Sequence, residues 1–129
     1  MKHRIAVAFT CFALGTGSLA AQQPAAQQAA PKADEMTITG QVVDVSCFTL
    51  SNASGANHKA CAQACADKGI TLGVKTADGT IYIPLGTGMA NAQNPKLREH
   101  AEGNVRITGT HRFANGLHTI EVKSIAAAM

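Results

Sequence analysis

Beyond residue 36, apolar and polar residues alternate in short segments, and this alternation constrains the fold more than any other feature of the sequence. A period of two is typical of β-strands that bury one face. Asp78-Gly79 and Asn115-Gly116 each separate two such segments, and both dipeptides favour tight hairpin turns. We therefore predict a mainly β domain. Its strands are expected at 37–47, 70–74, 81–85, 105–113 and in a last segment that carries Ile120 and Val122.

Two helices are predicted between these strands. The alanine-rich residues 57–68 favour a helix that ends at Gly69, because glycine readily adopts the left-handed conformation that follows a helix. Asn94-Pro95 favours the start of a second helix, which ends at Gly103. A change in the phase of the apolar residues near 40–43 indicates a β-bulge that bends the first strand.

The order of these elements matches a known architecture. A strongly bent first strand, a helix in the first loop and a second helix between strands three and four are typical of the OB-fold, a five-stranded Greek-key barrel. We therefore predict an OB-fold-like barrel over residues 36–129. The loop between its first two strands is one of those that usually carry binding in this fold, and here it contains cysteines and a histidine.

The residues before the domain have the composition of an export signal and a linker. Residues 1–20 have a basic start, a short apolar stretch and small residues before a predicted cleavage after Ala20. Residues 21–35 are rich in alanine, glutamine and proline, which predicts a disordered linker. The protein is therefore expected to be periplasmic or secreted. Cys11 would leave with the signal, so three of the four cysteines remain.

Charge and aromatic content argue against a nucleic-acid partner. Loss of Lys2 and Arg4 with the signal leaves nine basic residues against eight acidic ones, too small an excess to indicate nucleic-acid binding. Phe48, Tyr82 and Phe113 are the only phenylalanine or tyrosine residues after residue 35, too few for stacking bases.

No later apolar segment approaches the roughly 20 residues that span a bilayer. We predict neither a nucleic-acid partner nor a membrane-spanning segment.

The predicted functional residues are Cys47, His58, Cys61 and Cys65. In a helix, His58, Cys61 and Cys65 lie within an arc of about 60°, and Cys47 can reach that face from the end of the first strand. Three thiols and an imidazole form the ligand set of a Cys3His zinc site, and soft thiolates also suit copper(I). His58 and Cys65 are separated by roughly 10 Å along an ideal helix axis. The imidazole therefore joins the site only if the helix begins just after His58.

Two other uses of these residues remain open. An oxidising compartment favours a disulfide between Cys47 and either Cys61 or Cys65, closing a loop of 15 or 19 residues and leaving one thiol over. Such a bond would stabilise the fold by roughly 3 kcal/mol. Alternatively, His58 could activate Cys61 as a nucleophile, but no oxyanion-hole signature or orienting acid accompanies the pair.

Other polar residues are interpreted as structural. Asp44, three residues before Cys47, is interpreted as a turn or loop partner rather than as support for a metal ligand. His100, His111 and His118 are scattered along the sequence and are interpreted as ordinary surface or half-buried histidines. None of these residues is included in the predicted site.

Several short stretches of the domain form a pattern found elsewhere. They are V-V-D-V-S-C at 42–47, H-K-A-C-A-Q-A-C at 58–65, Lys68-Gly69, D-G-T-I-Y at 78–82, the strand from Gly103 to Gly109, and Ser124-Ile125. With the signature D-x-x-C…H-x-x-C-x-x-x-C, about residues 37–126 resemble an uncharacterised family of small exported bacterial domains. The resemblance implies export and an OB-fold-like barrel, and it implies no activity.

From these observations we predict a small exported protein that binds zinc or copper(I) through the four cysteine and histidine residues, without catalysis. The alternative is a disulfide-stapled binding or interaction module of the cell envelope, with one spare thiol and an unidentified envelope protein as partner. The two hypotheses differ in what they expect of the structure. The first expects the sulfurs to converge with the His58 ring, and the second expects that ring to turn to solvent.

Overall fold

A computed structural model describes residues 32–129. The strands are β1 (Ala33–Asp44), β2 (Leu72–Thr76), β3 (Ile81–Leu85), β4 (Asn104–Ala114) and β5 (Leu117–Ala127). The helices are α1 (Val45–Ser51), α2 (Lys59–Asp67) and α3 (Asn94–Leu97), with short 3-10 turns at Ala56–His58 and Arg98–His100. The predicted signal and most of the predicted linker lie outside the described residues. β1 begins at Ala33, before the predicted end of the linker.

The five strands close into a barrel in the order β1-β2-β3-β5-β4. β1 pairs antiparallel with both β2 and β4, whereas β3 and β5 are parallel. α1 and α2 lie in the connection between β1 and β2, and α3 lies between β3 and β4. These findings confirm the predicted five-stranded OB-fold-like barrel, with helices in the first loop and between strands three and four.

β1 changes partner along its length. Residues 33–41 pair with β4 and residues 40–44 pair with β2, so Gly40 and Gln41 are paired on both sides. Both registers are continuous, and the β-bulge predicted near residues 40–43 is therefore wrong. A side chain at Gly40 would collide with the carbonyl group of Lys75. Glycine thus allows the two strands to approach each other where β1 passes from one partner to the other.

The barrel interior holds one apolar core. Its main members are Ile38, Val42, Leu72, Val74, Leu97, Val105, Ile107, Ile120 and Val122. Val43 is also fully buried, although it is not part of this core. It belongs to β1, against which α2 packs. The change of phase in the sequence near residues 42 and 43 therefore reflects burial of both faces of the strand.

In β3 the inward residues differ from those that simple alternation indicates. Tyr82 pairs with Val74 and packs against the core, and Pro84 is buried. Leu85 is 43% exposed, and Ile83 lies on the same outward side. The register of the hairpin thus turns Tyr82 and Pro84 inward, because a shift of one residue exchanges the two faces of a strand.

The two predicted helices are present with different bounds, and the predicted end of the second helix at Gly103 is wrong, because α3 ends at Leu97 and a 3-10 turn follows. α2 begins at Lys59, and the predicted end at Gly69 is confirmed, with a φ of 89° at that glycine. Asn94 does not cap α3. Its side chain instead accepts the N–H of Leu72 and donates to the carbonyl group of Ile70, so it joins the start of β2 to the start of α3.

Candidate metal centre

Cys47 lies in the first turn of α1, and its predicted place at the end of a strand is wrong. β1 ends at Asp44, whose Oδ1 accepts the N–H of Cys47 at 3.0 Å. This hydrogen bond is that of a helix N-cap, and α1 therefore starts at Val45. The hydrogen bond confirms the interpretation of Asp44 as a local structural partner. An aspartate three residues before the bonded N–H is an N-cap signal that the sequence contains.

Cys61 and Cys65 lie one turn apart on α2, so their side chains leave the same side of the helix. Each is followed by a buried alanine, Ala62 or Ala66. Small side chains at these positions allow α2 to pack closely against the barrel. Cys61 is exposed and Cys65 is partly buried. The helix therefore presents two thiols at the edge of its buried face.

The sulfurs of the three cysteines converge. The Sγ atoms of Cys47, Cys61 and Cys65 all lie within 4.8 Å of one another, although Cys47 belongs to a different helix. All three are free thiols, so the alternative of a staple from Cys47 to Cys61 or Cys65 is not present in the structure. Three sulfurs bound to a tetrahedral zinc ion at about 2.3 Å lie about 3.8 Å apart. The group is thus within about 1 Å of that arrangement.

The Asp44 carboxylate and burial together raise the pKa values of two of these thiols. Hydrogen bonding to its carboxylate, together with burial and the carboxylate charge, raises the pKa of Cys65 to about 12. Burial and then the charge of Asp44 raise the pKa of Cys47. Burial also acts to raise the pKa of Asp44, but the Cys47 amide and the thiols of Cys65 and Cys47 hold that pKa below its ordinary value. Without metal, an ionised carboxylate therefore faces two protonated thiols at neutral pH.

His58 is not among the residues whose ligand atoms converge. It ends the 3-10 turn before α2, as a ligand role requires, but its Nδ1 lies 2.8 Å from Oε1 of Glu102. The Glu102 carboxylate also accepts the N–H of Gly55 and a side-chain N–H of Gln41. The side chains of His58 and Glu102 are 12% and 1% exposed. His58 therefore neither meets the sulfurs nor turns to solvent, and it joins the loop before α2 to the segment before β4.

Nothing in the sequence singles out Glu102. Its contact with His58 joins residues 44 positions apart, so no local pattern indicates it. Its φ is 62°, a left-handed conformation that is rare for a glutamate. Glu102 is thus a buried acceptor of three hydrogen bonds in a strained backbone position, and it fixes the loop that precedes two of the cysteines.

Two of the remaining histidines meet each other instead of the cysteines. Nε2 of His111 lies 3.2 Å from Nδ1 of His118, and Tyr82 packs against both rings. The ring planes differ by 10° at a centroid distance of 5.4 Å, so the two nitrogens face each other head-on. They share one hydrogen, and their lone pairs do not converge on a third point where an ion would lie. The pair is a half-buried packing element of β4 and β5.

The donors around the cysteines suit a soft or borderline metal ion. Three thiols within reach of one ion are the ligands that zinc and copper(I) favour. Oδ2 of Asp44 is buried, and the two thiols that its carboxylate faces are only weak hydrogen-bond donors. A buried polar oxygen in this state is costly. A cation held by the thiols would remove that cost, and the residues present therefore fit a metal ion.

No protein-family model, curated protein or solved structure matches this chain. Within residues 32–129, the helices are all too short or too polar to cross a bilayer. The function has therefore to be inferred from the three convergent thiols and the residues around them.

Proposed function

We propose that this protein is exported from the cell and binds zinc or copper(I) through Cys47, Cys61 and Cys65. The observation that carries the proposal is the convergence of three free Sγ atoms, contributed by two helices, within 4.8 Å of one another. Thiolates are preferred ligands of both ions. The signal-like residues 1–20 and the resemblance to exported bacterial domains support the location outside the cytoplasm.

The electrostatics of the site favour metal binding over catalysis by a thiol. A nucleophilic cysteine needs a lowered pKa, which a neighbouring base or positive charge provides. Here the carboxylate of Asp44 raises the pKa of Cys65 to about 12. Within residues 32–129, the hydrogen-bond partner of the His58 ring, which would have to activate Cys61, is Glu102 and not Cys61. A metal ion, in contrast, displaces the thiol protons when it binds.

Metal and thiol analysis of the protein purified from its own cellular compartment tests this proposal. We expect about one metal ion per chain and three thiols that react with alkylating reagents only after chelation. Cys61→Ser should weaken zinc binding by more than about 100-fold, since even residues behind the ligands contribute roughly 10- to 100-fold. Ala64→Ser, an exposed position on the same helix, is the matched control and should bind like the wild type.

Two outcomes would contradict the proposal. One intramolecular disulfide, one free thiol and no metal in the native protein would support the stapled envelope module instead. The N-terminus of the same sample tests export, because signal cleavage after Ala20 predicts a mature chain that starts at Ala21. A mature chain that still begins at Met1 would contradict export.

A further inference from the structure

The carboxylate of Asp44 has one oxygen that the N-cap does not explain. The side chain is 0% exposed, and Oδ1 accepts the N–H of Cys47 at 3.0 Å. Oδ2 is also buried, and it lacks a strong hydrogen-bond donor in the described chain, because the thiols that face the carboxylate are weak donors. A buried ionised oxygen is stable only beside a hydrogen-bond donor or a cation. A cation would therefore be a stronger partner for Oδ2 than these thiols.

The thiol cluster lies next to this oxygen. The thiols of Cys65 and Cys47 both interact with the Asp44 carboxylate. The carboxylate cannot turn away from them, because its Oδ1 is held by the backbone of α1. Cys61 completes the cluster, with its sulfur within 4.8 Å of the other two. A cation among the three sulfurs would therefore lie near this carboxylate.

We propose that Oδ2 of Asp44 is the fourth ligand of the metal ion and that it makes the site selective for zinc over copper(I). This inference rests on the proposed binding of metal by the three cysteines. Zinc in closed sites is four-coordinate and tetrahedral, and it accepts a carboxylate oxygen at about 2.0–2.2 Å. Copper(I) prefers soft thiolates and gains little from a hard oxygen ligand.

Formal charge also favours the divalent ion. Three thiolates and one carboxylate carry four negative charges, which zinc reduces to two and copper(I) only to three. Cys47 and Cys65 are partly buried and Asp44 is fully buried, so uncompensated charge is screened less here than at an exposed surface. The carboxylate therefore attracts the divalent ion more strongly than the monovalent one.

His58 is the other residue that could take the fourth position. Neither residue belongs to the group of ligand atoms that lie within 4.8 Å of one another, so the cluster would have to contract around the ion for either to bind. The bond from Nδ1 to Glu102 leaves the other ring nitrogen of His58 free, as in many metal-bound histidines. The carboxylate of Asp44, however, already interacts with the thiols of Cys65 and Cys47, and its buried Oδ2 gains a partner on binding the ion. These contacts favour Asp44.

Cobalt(II), zinc and copper(I) titrations of the full chain test the assignment, with Cys11→Ser in every protein so that the cluster supplies the only thiols. Asp44→Asn is the decisive variant, because asparagine still caps a helix and keeps α1 in place. It should weaken zinc binding by at least about 100-fold, since loss of a residue behind the ligands already costs roughly 10- to 100-fold. It should leave copper(I) affinity within about threefold.

The cobalt spectrum identifies the ligand directly. Asp44→Asn should change the ligand-field bands and keep the thiolate-to-cobalt charge-transfer band, because the three sulfurs remain. Asp67→Asn removes an exposed carboxylate of α2 and should leave both bands unchanged. An unchanged spectrum and zinc affinity in Asp44→Asn would overturn the assignment. The same changes in His58→Gln, without them in Asp44→Asn, would place His58 in the fourth position and overturn it too.

Failure of this inference can be distinguished from failure of the proposed function. A reduced wild-type protein that binds none of the three metals would contradict both. A wild-type protein that binds copper(I) through three thiolates and does not bind zinc would contradict only the assignment of Asp44.

If Asp44→Asn does not fold, the NMR signal of the carboxyl carbon of Asp44 in the wild-type protein serves as the test in place of that variant. That signal should shift on addition of zinc, and a constant signal would overturn the assignment.

Discussion

The three cysteines of the site differ in exposure, and two of them have raised pKa values, so they should react with alkylating reagents at different rates. Cys61 is exposed, whereas Cys47 and Cys65 are partly buried and have raised pKa values. Because the thiolate is the reactive form, we expect Cys61 to be modified first and Cys65 last in reduced, metal-free protein at pH 8. Mass spectrometry of samples taken over time measures the order.

The carboxylate of Asp44 also affects how the alkylation of Cys65 depends on pH. With a pKa of about 12, Cys65 should react faster with each unit of pH well above 9. Asp44→Asn removes the first cause of the raised pKa and should accelerate the reaction of Cys65 at pH 8. In the folded protein the protonated thiol is favoured. Its contribution to stability is therefore complete below the ordinary thiol pKa and is lost as the pH rises towards 12. Equal rates for Cys61 and Cys65 would contradict this account.

Glu102 should contribute to stability through the three groups that it binds. Glu102→Ala leaves the N–H of Gly55 and the ring of His58 without their acceptor, so we expect unfolding free energy to fall by about 3 kcal/mol. Urea unfolding followed by circular dichroism measures the change. Glu99→Ala, whose side chain is 79% exposed, is the control and should change stability by less than about 0.5 kcal/mol. Similar losses in both variants would show that the buried contacts contribute little.

At the scale of elements, Asn94 joins α2, β2 and α3. Its side chain accepts the N–H of Leu72 and donates to the carbonyl groups of Ile70 and Ala66. Asn94→Ala leaves these partly buried groups unpaired, and we expect a loss of about 2–3 kcal/mol in denaturant unfolding. Asn104→Ala, at an exposed position that starts β4, should have little effect. A stable Asn94→Ala variant would mean that water replaces all three bonds.

Periodicity in the sequence predicted the barrel because most of its strands bury one face. It failed where that condition does not hold. In β3 the run Ile-Tyr-Ile-Pro-Leu is apolar on both faces, so only pairing with β2 and β5 decides that Tyr82 and Pro84 turn inward. At the end of β1, the choice between strand and helix depends on the hydrogen bond of Asp44 to the Cys47 amide. The N-cap hydrogen bond of Asp44 therefore decides where β1 ends, and the β-propensity of the following residues does not.

The candidate site was predictable to the extent that its geometry is local. Spacing within one helix placed Cys61 and Cys65 together, and the short connection from β1 allowed Cys47 to join them. The place of His58 depends on Glu102, which lies 44 residues away in the sequence. A hydrogen bond between residues so far apart in the sequence cannot be predicted from a local pattern. The structure therefore retains the three cysteines and gives the imidazole another partner.

At the scale of the whole molecule, the cysteines and most of the core belong to different parts of the chain. Cys47, Cys61 and Cys65 lie in the connection between β1 and β2, whereas the core comes mainly from the strands and Leu97. We expect removal of metal to leave the barrel folded and to raise amide hydrogen exchange mainly in residues 45–69. Exchange measured by mass spectrometry, with and without chelator, tests this. Loss of protection throughout the barrel would contradict it.

Closure of the barrel also limits how copies of this protein can associate. Where a strand is paired on both sides, its backbone N–H and C=O groups are not open to another molecule, but residues 33–39 of β1 and residues 122–127 of β5 pair only with β4. Rows of unpaired backbone groups are the templates on which strands of other molecules add during aggregation. Growth of a shared sheet from the folded state would therefore have to start at these two segments. Elsewhere a partner has to recognise side chains, and the thiol-bearing connection between β1 and β2 is among the surfaces that remain for it.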